Sequence, residues 1–199
     1  MEDIIHVKGF IPKTAADAAF DTLLKEVEWH NVLNNDEGVP VKINRKMAYM
    51  YDEPVNYRYA RLNLPGTTWN TTAAAIKQYM IANIPFLSKD EKLFEFNSVL
   101  LNLYETGKDE IRWHSDKETQ LGEKPVIACI NLGAGRKFSF MKKGKTPAER
   151  EIVEFFVEHG DLLMMMEDCQ DNWLHAILRD KSVTEPRISL TFRLVHKNV

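Results

Sequence analysis

The segment Trp113-His114-Ser115-Asp116 sets an imidazole and a carboxylate two positions apart. On an extended backbone, residues i and i+2 leave the same face, so His114 and Asp116 aim one nitrogen and one oxygen at a common point. A metal site needs more than two ligands. His175 lies much later in the chain, inside the apolar run NWLHAIL, and offers a third. Two histidines and one carboxylate on one side of an ion leave its other positions open, which is the facial triad of non-haem Fe(II) chemistry. H-x-D alone is a short pattern that chance supplies often, and a lone His in a strand is more often packed or surface-bound. His6, His30, His159 and His196 have no comparable partner and are read as non-ligands.

A second group of residues points to an anionic ligand. In RISLTFR, Arg187, Ser189, Thr191 and Arg193 share one strand face, while Ile188, Leu190 and Phe192 share the other. The apolar face must pack. Arginines on a buried polar face need anionic partners. A dicarboxylate such as 2-oxoglutarate supplies them through bidentate hydrogen bonds, and so would surface Asp or Glu side chains. In NLY, Asn102 and Tyr104 again stand at i and i+2, adding an amide and a phenol that could reach the same ligand.

These side chains need a rigid frame. Residues 12–28 read as an amphipathic helix, with Pro12 early, Thr14 and Asp17 resembling a capping box, and Phe20, Leu23, Leu24 and Val27 on one stripe. A second helix is expected at about 70–83, with Trp69, Ala73, Ile76 and Met80 on one face and Pro85 ending it. Between them, KINRKMAYMYDEPVNYRYARLNL reads as strands or an ordered loop pair. From residue 94 the texture changes. Short runs of β-branched and aromatic residues alternate with turn signals, from FEFNSVLLNLY to RISLTFRLV, and predict an antiparallel barrel or sandwich. The fold class is mainly β with flanking helices, and no linker divides the 199 residues into two domains.

Composition narrows the function. No run is long and apolar enough to span a membrane. The opening MEDIIHVKGF lacks the charge pattern of a secretory leader, so a cytoplasmic or nuclear location and a monomer are the expectations. Cys129 and Cys169 are too few for a disulfide framework. A net charge of −3 excludes a globally basic nucleic-acid binder. Phosphate contacts would fall to local patches: Lys42, Arg45 and Lys46, or Arg136, Lys137, Lys142, Lys143 and Lys145.

Together, FNSVLLNLYETGKDEIRWHSDKE, PVIACINLGAGRKFSF, HGDLLMMMEDCQDNWLH and EPRISLTFR resemble the AlkB family of 2-oxoglutarate oxygenases, whose animal members repair methylated DNA and RNA. The resemblance covers roughly residues 45–196 and is densest over 96–193. The compound pattern N-x-Y, H-x-D, H and R-x-x-x-x-x-R is far more specific than any part. The resemblance implies a double-stranded β-helix (jelly roll) over 94–199, with a helical buttress and a nucleotide-recognition lid in 1–93. It implies Fe(II) held by His114, Asp116 and His175. It also implies 2-oxoglutarate held by Asn102, Tyr104, Arg187 and Arg193, with Arg187 at the distal carboxylate and Arg193 nearer the metal. Dioxygen completes the reactants. Family members often carry Asn where this chain has Ser189, which is too short for the same contact.

The implied reaction is oxidative removal of N-alkyl groups from bases such as 1-methyladenine or 3-methylcytosine, in DNA or RNA, with single strands favoured. A base must leave the stack to be reached. In the Tyr-rich segment, Arg45, Tyr49, Tyr57 and Tyr59 are the expected base contacts. Glu118 matches the family's acidic partner for a cationic base. Cys169 is expected to be a buried thiol. Two rivals stand beside this reading. One is an oxygenase of the same fold acting on protein or a small molecule, and the other is a non-catalytic nucleic-acid-binding module.

Overall fold

The alternating runs of the second half do form strands. In the computed structural model, which describes residues 3–54, 58–59, 62–84, 95–144, 146 and 150–196, they pair into two sheets. The second half supplies β7 (Ser98–Tyr104), β8 (Ile111–His114), β9 (Ile127–Gly133), β10 (Arg136–Lys142), β11 (Ile152–Val157), β12 (Leu162–Met165), β13 (Trp173–Ile177) and β14 (Arg187–Arg193). A short helix, α3 (Cys169–Asn172), precedes β13.

The first half adds β1 (Ile4–Val7), β2 (His30–Asn35), the long β3 (Pro40–Tyr51), and the two-residue strands β4 (Arg58–Tyr59), β5 (Leu62–Asn63) and β6 (Gly66–Thr67). The large sheet runs β1-β12-β9-β14-β7-β3-β2-β5-β4, with β6 on β3, and the small one runs β11-β10-β13-β8. Every pairing among the described residues is antiparallel except β3 with β6. This is the jelly-roll architecture. β1 and β3, strands of the first half, flank the strands that carry the chemistry, because their backbones complete the hydrogen-bond ladders of β12 and β7.

Two helices, α1 (Lys13–Glu26) and α2 (Thr71–Asn83), cover the outer face of the large sheet. The core there takes Ile188, Leu190 and Phe192 from β14 and Leu101 and Leu103 from β7. Phe138, Phe140, Tyr104 and Ile127 fill the space between the sheets. Asn70 caps α2, its side chain accepting from the backbone N–H of Thr72 at 2.8 Å. Ala73, Ile76 and Met80 are buried as their spacing predicts.

Helix α1 departs from expectation. Pro12 stands at its N-cap with no side-chain cap, and Asp17 pairs instead with Lys13 at 2.7 Å and His159 at 3.1 Å. There is no capping box, because the helix already begins at Lys13, which puts Thr14 inside it rather than at the N-cap. The buried stripe is Ala16, Ala19, Leu23 and Val27, which leaves Leu24 36% exposed. Among the described residues no helix is long and apolar enough to cross a membrane.

Candidate metal centre

Antiparallel pairing of β8 with β13 sets His114 directly opposite His175, a register that neither strand's own sequence reveals. Their ring centroids are 4.2 Å apart. Asp116 follows just past the end of β8, and its Oδ1 lies 3.5 Å from His114 Nε2 and 4.0 Å from His175 Nε2. One donor atom from each residue falls within 4.8 Å of the others. Nitrogen and oxygen ligands held at about 2.0–2.2 Å from a shared ion have this kind of spacing.

Hydrogen bonds orient His114 and Asp116, whereas His175, whose Nδ1 is buried without a hydrogen-bond partner, is held by packing against Phe138 and Phe140. His114 Nδ1 lies 2.7 Å from the carbonyl of Arg112. A carbonyl can only accept, so the proton sits on Nδ1 and the Nε2 lone pair faces the site. Asp116 is 1% exposed, and its Oδ2 accepts from Arg193 Nε at 3.0 Å and Nη2 at 2.5 Å. The Asp116 backbone N–H donates to Gln170 Oε1 at 2.8 Å, which ties the ligand loop to α3. Asp116 Oδ1 is buried with no hydrogen-bond partner. Oδ2 is thus occupied by arginine while Oδ1 turns toward both imidazoles, an arrangement that fits a cation.

Electrostatics set the protonation states a metal requires. Burial alone would raise the Asp116 carboxyl, but Arg193 and then the two imidazoles outweigh it and hold it well below its ordinary 3.8. Burial, with His114 adjacent, pushes His175 down to about 3. Burial also lowers His114, against the pull of Asp116. The ionised carboxylate and neutral imidazoles are the forms that bind a metal.

These shifts predict acid sensitivity of the metal-free protein. His175 lies below its ordinary 6.5 when folded, so the unfolded chain binds more protons between there and about 3. That contribution is complete above 6.5 and is lost as the pH falls. Asp116 adds a further loss below 3.8. The melting temperature should drop between about pH 7 and 5, and His175→Gln should flatten the drop. Parallel profiles for the two proteins would remove this account.

A small cavity opens beside the two histidines, between the sheets. Asn102, Tyr104, Arg187, Ser189, Thr191 and Arg193 line it, the inward set of β7 and β14. Register puts Arg187 opposite Tyr104 and Ser189 opposite Asn102. Arg187 is 1% exposed, with its guanidinium 5.0 Å from the Tyr104 ring centre. Its Nε donates to Asn131 Oδ1, and its buried Nη1 has no partner. No carboxylate among the described residues forms an ion pair with it. A buried charge left in this state is costly unless an anion arrives. The cavity therefore fits a carboxylate at the Arg187 end and a chelating group at the metal end. Arg193 lines the same cavity but spends Nε and Nη2 on Asp116, so it reaches the metal through that ligand.

On its other side His114 borders an open cleft shared with Ile43, Arg45, Leu62, Trp113 and Glu118. Arg45 is buried and donates from Nε to Asn102 Oδ1 at 2.6 Å, joining cleft and cavity. Glu118 is half-buried at the cleft wall. Tyr49 is only 3% exposed and packs with Leu33 and Leu100 beneath β3, so its ring is a core element with no open face toward the cleft. Tyr57 and the side chain of Tyr59 lie outside the described residues.

The second basic patch loses Arg136 to the interior, while Lys137, Lys142 and Lys143 are exposed. Arg136 is fully buried and donates to the carbonyls of Leu178 at 2.7 Å, Asp109 at 3.1 Å and Thr106 at 3.4 Å. Lys137 pairs with Glu154 at 2.9 Å, and Lys143 donates to the Gln170 carbonyl at 2.7 Å. Lys145 lies outside the described residues. In the first patch Lys42 is exposed, whereas Lys46 pairs with Glu105 at 2.8 Å. Cys169 is buried, which pushes its thiol up to about 12 and leaves it inert. Sequence reasoning missed Asn131 and Gln170. A polar residue at an inward position of the apolar run IACINLG was the available signal for Asn131, and Gln170 gave none.

Comparison with known proteins agrees with this geometry. The model of the 2OG-Fe(II) oxygenase superfamily matches residues 3–193. The chain is 33% identical to alpha-ketoglutarate-dependent dioxygenase alkB homolog 3 of Bos taurus over 195 residues, which cover 94% of this chain and 64% of that one. It is 32% identical to DNA oxidative demethylase ALKBH2 of Homo sapiens over 194 residues, covering 92% and 70%. The solved structure of OsALKBH1 superposes with a TM-score of 0.61 at 16% identity, over 96% of this chain and 97% of that one, and supports the fold alone. The chain thus spans just under two thirds of the length of the cattle relative. By family match and by relatedness, it belongs to the AlkB-like family within the 2OG-Fe(II) oxygenase superfamily.

Proposed function

We propose that this chain is an Fe(II)- and 2-oxoglutarate-dependent dioxygenase that removes N-alkyl groups from bases in DNA or RNA. One observation carries the reading. The His114, Asp116 and His175 cluster stands between a cavity within the two sheets, at whose far end Arg187 Nη1 is unpartnered, and an open cleft that reaches the surface. A co-substrate and a macromolecular substrate need two such approaches to one centre. The relatives, named as a dioxygenase and a DNA oxidative demethylase, support the same activity.

His114 Nε2, Asp116 Oδ1 and His175 would hold the iron. With 2-oxoglutarate and dioxygen bound, that ion supplies the oxidising power to hydroxylate an N-alkyl carbon, yielding succinate and carbon dioxide, and the hydroxymethyl product releases formaldehyde. The chain's own residues bind, orient and exclude water. Arg187 takes the distal carboxylate, with Tyr104 against its face and Asn102 beside it. Arg193 fixes Asp116. Arg45 holds Asn102 from the cleft side, so that seating of a base and seating of the co-substrate share one hydrogen bond. Glu118 would face the positive charge of 1-methyladenine or 3-methylcytosine. With Tyr49 in the core, stacking of the extruded base is assigned to Tyr57 and Tyr59. Single strands are the favoured form, and one domain over 1–199 acts as a monomer.

The test is incubation with methylated oligonucleotides, single- and double-stranded. The expected result is loss of one methyl per succinate formed, dependent on Fe(II) and 2-oxoglutarate, and faster on single strands. Tight nucleic-acid binding without succinate would make the chain a binding module. Succinate without any change in oligonucleotide mass would move the substrate to another class.

A further inference from the structure

We propose that Asn131 is a positioning residue that makes the cavity selective for a dicarboxylate, by orienting Arg187 without neutralising it. The proposal rests on the reading above, in which Arg187 receives the distal carboxylate.

Asn131 sits within β9, 1% exposed, opposite Ser189 and one inward position from the partner of Arg187. Its Nδ2 donates to the carbonyls of Glu158 at 2.9 Å and Val157 at 3.5 Å. Those acceptors decide which way the amide points. Nitrogen must face the carbonyls, so oxygen must face Arg187 Nε. The backbone is equally fixed. Its N–H donates to the Asp161 carbonyl at 3.0 Å, and its carbonyl accepts from Gly160 at 2.8 Å. The turn behind it is held by the Asp161 carboxylate, which accepts from Gly9 N–H and Glu158 N–H at 2.8 Å each and lies 2.8 Å from His6 Nε2. Asn131 is therefore a rigid arm running from the β11–β12 turn to the guanidinium.

The chemistry of that arm matters. Arg187 Nε is bonded and the Tyr104 ring lies close by, which fixes the fork and leaves Nη1 unpartnered at the cavity. A neutral acceptor steers the guanidinium and leaves its charge for a ligand. A carboxylate at the same position would form an internal ion pair and compete with the incoming anion.

The experiment compares two ligands on the Mn(II)-loaded protein by calorimetry. 2-Oxoglutarate carries both carboxylates. 2-Oxopentanoate keeps the chelating end and the five carbons but lacks the distal carboxylate. Asn131→Asp should weaken 2-oxoglutarate by about 30-fold or more and change 2-oxopentanoate by less than about 3-fold. Asn131→Ser, neutral but too short to reach both sides, should weaken 2-oxoglutarate selectively by roughly 5- to 10-fold and serves if the Asp variant does not fold. Equal weakening of both ligands in either variant would assign Asn131 a merely structural role and overturn the proposal, as would undiminished 2-oxoglutarate binding by Asn131→Asp. A wild-type protein that does not prefer the diacid would instead bring down the assignment of Arg187 itself.

Discussion

Asp116→Ala protein should retain no stoichiometric iron, turn over at least about a thousandfold more slowly, and melt well below the wild type. The first two effects follow from Oδ1, the buried oxygen that faces both imidazoles. The third follows from Oδ2. Removing the carboxylate strands the buried guanidinium of Arg193, whose Nε and Nη2 it accepts. Breaking a buried pair from one side typically costs about 3–5 kcal/mol. His114→Ala separates the two roles. Its side chain is 24% exposed and its removal strands no charge, so iron should be lost with a smaller change in melting temperature. Iron analysis, methyl release and thermal denaturation on both variants make the comparison. Iron retained by Asp116→Ala would refute the site.

Arg187→Leu should raise the KM for 2-oxoglutarate by roughly 30- to 100-fold, the loss of a bidentate charge-assisted contact, while iron content stays normal. Its effect on stability should run the other way from Asp116→Ala. Without ligand, the wild type holds a buried guanidinium whose Nη1 is unpartnered, so removing that charge should offset the donor lost to Asn131 Oδ1 and the volume lost, leaving the metal-free melting temperature unchanged or higher. Added 2-oxoglutarate should then stabilise the wild type and not the variant, because only a ligand that binds the folded state shifts its melting. Arg187→Lys should recover little, since a point charge lacks the fork that meets a carboxylate twice. A normal KM in Arg187→Leu would transfer the distal carboxylate to another residue.

Much of the site was legible because β-strands alternate faces with a period of two. That rule alone grouped His114 with Asp116, Asn102 with Tyr104, and Arg187 with Arg193, and each pair does share a face or a cavity. The same rule assigned Ile188, Leu190 and Phe192 to the core, where they lie. It could not show that His175 stands opposite His114, since register is a property of two strands and their connection. Nor could it show that Arg193 would find Asp116, that Arg45 would find Asn102, or that Asn131 would find Arg187. Arginine misled most. Arg136 looked like part of a phosphate-facing surface, yet its aliphatic stem and five donors let three carbonyls accommodate it indoors. Tyr49 misled for a related reason. Its place in a run rich in Tyr and Arg suggested a base contact, while its ring packs inward against Leu33 and Leu100.

Strand β14 lies between β9 and β7 with one face beneath the helices and the other on the cavity. Inserting a single residue inside Arg187–Arg193 would send isoleucine, leucine and phenylalanine into the diacid's place and drive both guanidiniums under α1 and α2. Inserting two would restore the faces yet slide one arginine along the strand by about 7 Å, roughly the length of the co-substrate's own carbon chain. Changes of chain length near this strand can therefore survive only in the connections on either side, such as residues 178–186, so the spacing between the two arginines is as much a part of the machinery as the arginines themselves.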